Sequence, residues 1–63
     1  MRDVLEHLAK KLQEDRLRMV EDLGEGKAKD HAEYKFACGV VRGLLMANNH
    51  ILELVERLEK ADE

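Results

Sequence analysis

Serine, threonine, proline and tryptophan are absent from this chain, and cysteine, tyrosine and phenylalanine occur once each. Without serine or threonine the only hydroxyl nucleophile is Tyr34, and Cys38 has no histidine one turn away, so nucleophilic catalysis lacks its usual partners. A single cysteine also excludes a disulfide framework within one chain, and no Cys/His spacing resembles a zinc site. His7, His31 and His50 are far apart in sequence. An antiparallel hairpin would bring His7 toward His50 at most, two ligands without a third, and His50 with Glu53 reverses the Glu-before-His order of di-iron helices. No strand precedes a glycine-rich phosphate loop. Neither an enzymatic activity nor a metal or cofactor is therefore expected.

Long apolar runs are missing as well. The longest uncharged run, Gly43 to Leu52, is ten residues that include Asn48, Asn49 and His50, too short and too polar to span a bilayer. The opening residues Met1-Arg2-Asp3-Val4-Leu5-Glu6 lack the apolar core of a signal peptide. The expected setting is a reducing cytoplasm, with Cys38 a thiol and no membrane contact. Neither sign of charge dominates: residues 1–31 carry seven basic and eight acidic side chains, residues 32–63 four and six, and the net charge is −3. Lys10, Lys11, Arg16, Arg18, Lys27 and Lys29 form a modest basic strip, but Glu14, Asp15, Glu21, Asp22 and Glu25 interrupt it, which argues against nucleic acid as a partner.

What the chain does have is helix-forming material. Forty per cent of its 63 residues are charged and Leu, Val, Ile, Ala and Met supply nearly all the apolar content, the composition of a helical bundle or coiled coil. A capping box, Asp3 with Glu6, predicts the start of a first helix over residues 3–23, whose apolar face is Val4, Leu5, Leu8, Leu12, Met19 and Leu23. Gly24 supplies a left-handed stop and Gly26 a flexible exit, giving a turn at residues 24–28. A second capping box, Asp30 with Glu33, marks the start of helix two, read over 29–61. On the exposed faces Glu6 with Lys10, Glu14 with Arg18, Glu53 with Arg57 and Glu56 with Lys60 are spaced to pair at i, i+4.

Helix two carries a heptad seam: Tyr34, Val41, Asn48 and Val55 at a, Ala37, Leu44, Ile51 and Leu58 at d. Cys38, Leu45 and Leu52 flank it on one side, Val40, Ala47 and Leu54 on the other, a face wide enough for more than one neighbouring helix. Gly39, Gly43 and Ala47 make a small-residue stripe beside the seam, a groove for close approach of helix one or a dimer partner. Asn48, polar in an apolar seam, fits a register device that pairs with its symmetry mate. At 1.5 Å per residue, helix one reaches about 30 Å and helix two nearly 50 Å, which predicts that Leu54, Val55 and Leu58 are left for another chain to cover. A chain this short buries only about 60 % of its unfolded surface, so oligomerisation is the expected staple. The fold class is thus all-α: an antiparallel two-helix hairpin forming one domain and self-associating, a four-helix dimer first, through the seam residues.

The segment Gly26–Leu45, GKAKDHAEYKFACGVVRGLL, resembles small uncharacterised proteins encoded in tailed-phage genomes, in which a short helix, a glycine-containing turn and a Tyr…Gly-x-x-x-Gly-Leu helix recur. The resemblance covers about a third of the chain. It implies a phage accessory or virion-associated helical protein, placed in the host cytoplasm or the virion and meeting a host or virion protein, and it transfers no catalytic residues. The hairpin dimer is also similar in architecture to the plasmid Rop protein, an RNA binder of comparable size whose residues do not align with these. The leading functional expectation is a non-enzymatic protein acting through helical contacts, with Leu17 and Val20 as an outer contact on helix one. The alternative is a small dimeric nucleic-acid-binding regulator.

Overall fold

The computed structural model describes residues 1–61. They form two α-helices, α1 (Arg2–Gly24) and α2 (His31–Ala61), laid side by side in a rod of 50 × 14 × 13 Å. The long dimension is close to the length of α2 alone, about 46 Å for 31 residues at 1.5 Å each.

The helix ends differ in detail from the sequence expectation, and each difference has a local cause. Asp3 does not cap α1. The helix begins one residue earlier, at Arg2, with Met1 as N-cap and its carbonyl accepting the Leu5 N–H at 3.1 Å. Asp3 then sits in the first turn, where its charge still favours the positive end of the helix dipole, and Glu6 turns to Arg2 at 3.8 Å. At the other end Gly24 is helical, and the left-handed residue is Gly26 at φ 78. The Gly26 N–H donates to the Leu23 carbonyl and the Lys27 N–H to the Asp22 carbonyl, both at 3.1 Å, the paired bonds of a Schellman stop. The Lys27 ammonium folds back on the Asp22 carboxylate at 3.1 Å, tying the same two residues by side chain.

The second capping box forms, with one shift. Asp30 Oδ1 accepts the Glu33 N–H at 2.9 Å, while Glu33 Oε2 accepts the N–H of Lys29, at 2.7 Å. Lys29 is held outside the helix by that bond, so α2 starts at His31 and not at residue 29.

At the open end of the hairpin Arg2 and Glu59 form an exposed ion pair at 3.9 Å, which marks the antiparallel register. Counting one residue against one from that pair places Leu12 level with Asn49, Arg16 with Leu45 and Gly24 with Ala37. The connection Glu25–Asp30 therefore climbs past the end of α1, and α2 from His31 to Phe36 overhangs it by about 9 Å. This overturns the length argument. The two helices do not start level, so α1 reaches the far end of α2: Val55 is buried and Leu58 half-buried, and of the three residues expected to be bare only Leu54 is exposed.

Candidate interaction surface

Within the hairpin the α2 seam faces α1. Asn48 and Val55 are buried, Ala37, Val41, Leu44, Ile51 and Leu58 are half-buried, and Tyr34, on the overhang, is exposed. The matching stripe of α1 is Leu5, Ala9, Leu12, Arg16, Met19 and Leu23, a three-four alternation in which Ala9 is the most buried member at 4 % exposure. Val4 and Leu8, expected on the apolar face of helix one, are exposed, and the face includes Ala9 and Arg16, which the expectation lacks. The signal was available: counting three-four from Leu5 passes through both.

Asn48 is 6 % exposed, and its Oδ1 has no hydrogen-bond partner among the described residues. Arg16, half-buried on α1 and level with Leu45, one turn away from Asn48, has a buried Nε that is equally unpaired. An orphan donor and an orphan acceptor thus occur on facing helices, in an otherwise apolar seam. Each unpaired buried group costs roughly 1–3 kcal/mol.

The hairpin hides little else. Eleven large apolar side chains are exposed, Phe36 the most of any inside a helix at 74 %. Helical-wheel positions sort them into two flanks. Leu17 and Val20 of α1 lie on the flank of Leu45 and Leu52; Val4 and Leu8 lie on the flank of Phe36, Val40, Ala47 and Leu54. Gly39 and Gly43 belong to this second flank and its outer edge. A Cβ built on either meets nothing within 4 Å, so α1 does not occupy the small-residue stripe. Neither glycine has a positive φ that would require it.

At the turn end of the same flank lies an open groove of about 460 Å³, walled by Met19, Leu23, Ala28, Ala32 and Phe36, with Lys27 and Glu33 at its rim. It forms because the overhang of α2 and the climbing connection leave the last turn of α1 recessed between them.

The charged groups make no concentrated field. Of the four expected i, i+4 pairs only Glu56 with Lys60 forms, at 3.6 Å; Arg18 turns to Asp15 at 3.3 Å and Glu6 to Arg2. Such exposed pairs exchange at little cost, which is why spacing alone did not select them. Arg16, Arg18 and Lys27, half of the expected basic strip, are respectively half-buried, paired with Asp15, and paired with Asp22 and Glu25. His31 stacks on Tyr34 with ring centroids 6.4 Å apart, and no group of three or more His, Cys, Asp or Glu side chains that could hold a metal occurs among the described residues. The Tyr34 phenol is raised above its ordinary value by Cys38 one turn on, first through a hydrogen bond and then through charge. No helix among the described residues is long and apolar enough to cross a membrane.

No family model matches the chain, and neither curated proteins nor solved structures yield a match.

Proposed function

We propose that this chain is a non-enzymatic helical protein that works by association: copies pair through one apolar flank and offer the other to a foreign protein. The observation that carries the reading is surface area. The hairpin exposes 5100 Å², whereas a compact monomer of 7.3 kDa exposes roughly 4200 Å². The excess, about 900 Å², is close to the roughly 800 Å² each partner contributes to a standard protein interface. A two-layer rod has no third layer to cover its flanks, and a second copy supplies it.

The flank of Leu17, Val20, Leu45 and Leu52 then remains for a host or virion protein, in keeping with the likeness of Gly26–Leu45 to tailed-phage accessory proteins. No specific observation favours the nucleic-acid reading, because the basic side chains are scattered around α1 and partly neutralised. Sedimentation equilibrium at micromolar concentration tests the proposal. A mass twice 7.3 kDa is expected. A folded monomer that persists at every concentration reached overturns it, and binding of RNA or DNA that weakens steeply with salt would move the function to the alternative class.

A further inference from the structure

We infer that the self-association just proposed, on which this inference rests, is an isologous antiparallel contact of α2 with α2 of a second copy, its two-fold axis passing at the level of Leu45. Three features of the glycine-bearing flank support it.

The first is polarity. On this side of α2 Phe36, Met46 and Leu54 are exposed beside Gly39, Val40, Gly43 and Ala47, with His50 the polar member of the flank, while Arg42, Glu53, Glu56 and Lys60 mark the charged outer face of the helix. The second is self-complementary spacing. Reversing α2 about the level of Leu45 puts Gly43 against Ala47 of the second copy, where two small residues allow the backbones to approach, and brings Phe36 opposite Leu54. Leu54 is thereby delivered beside the groove that Phe36 and Leu23 wall, and the most exposed helical side chain gains an apolar partner twice, once at each end of the interface. The third is charge. The same reversal places Glu33 opposite Arg57, and Arg57 forms no ion pair among the described residues. An isologous contact makes this opposite-sign pair twice. The roughly 900 Å² by which the surface of the hairpin exceeds that of a compact monomer of its mass is comparable to what each partner contributes to a standard interface.

The opposite flank is the competing surface for a second copy, and the test separates the two. Phe36→Asp and Leu54→Asp, both at exposed positions, should each weaken the dimer roughly tenfold or more at unchanged helix content by circular dichroism, while Leu45→Asp should not. Arg57→Glu should weaken it too, and adding Glu33→Arg should restore much of the loss, with Glu33→Arg alone as the control because it also removes the acceptor of the Lys29 N–H. The charge-reversal pair keeps the test valid if an aspartate in α2 disturbs folding. Dimers that tolerate both aspartates on the glycine flank but dissociate with Leu45→Asp overturn this interface while leaving association intact, as does a double reversal no tighter than Arg57→Glu alone. A wild-type protein that never dimerises overturns both.

Discussion

At the scale of single residues, Asn48 changed its meaning most. Its place in the heptad was legible from the sequence, because the seam runs three-four without a fault from Tyr34 to Leu58. Its neighbour was not: heptad position says that a residue is buried, and only the register of the other helix says against what. Asn48 faces α1 inside the hairpin, and its carboxamide oxygen has no partner there among the described residues. Asn48→Val removes an unpartnered acceptor and adds apolar contact, and it should stabilise the hairpin by about 1 kcal/mol or more, read from urea unfolding monitored by circular dichroism. A second residue-scale outcome concerns Tyr34. Its phenol ionises above the ordinary 10.0 because of Cys38. The folded state thus holds this proton more tightly than the unfolded chain, so stability is level below that pH and declines as pH rises through the phenol range. Cys38→Ala should bring the phenolate absorbance titration back toward the ordinary value.

At the scale of elements, the helices themselves were plain in the pattern and their ends were only partly so. Residues 3–23 were read for a helix that spans Arg2–Gly24, and 29–61 for one that spans His31–Ala61. The ends differ where side-chain and backbone solutions compete: Met1 offers a carbonyl one turn before Leu5 in place of an Asp3 cap, and of two glycines close together Gly26 takes the left-handed position. The structure makes those two glycines opposites. Gly24 is helical and open on its Cβ side, so Gly24→Ala should stabilise by about 0.5–1 kcal/mol. Gly26 has φ 78, so Gly26→Ala should destabilise by about 1 kcal/mol. Thermal unfolding of the pair should show melting temperatures moving in opposite directions. Asp30→Ala, which frees the Glu33 N–H, should cost about 1 kcal/mol in the same assay.

At the scale of the whole molecule, the hairpin class was readable from composition and from two periodic segments around one glycine-bearing turn. The offset between the helices was not, because a six-residue connection can either close tightly or climb, and no residue in Glu25–Asp30 announces which. That offset decided which α2 residues α1 covers and created the recess beside Phe36. Association adds a term that a monomer lacks: the melting temperature should rise with protein concentration if folding and pairing are coupled, and stay constant if they are not.

The overhang of α2 beyond α1 also bears on which part of the molecule opens first. From His31 to Phe36 the helix is held by the Asp30 and Glu33 cap and by its own backbone, with only the rim of the groove beneath it, whereas Asn48 is sealed between two helices. Local opening should be easiest in that turn, and amide hydrogen exchange fastest there. A second copy whose Leu54 end lies over Phe36 would clamp the segment that frays most readily, so diluting the protein should unprotect the amides near Phe36 well before those near Asn48.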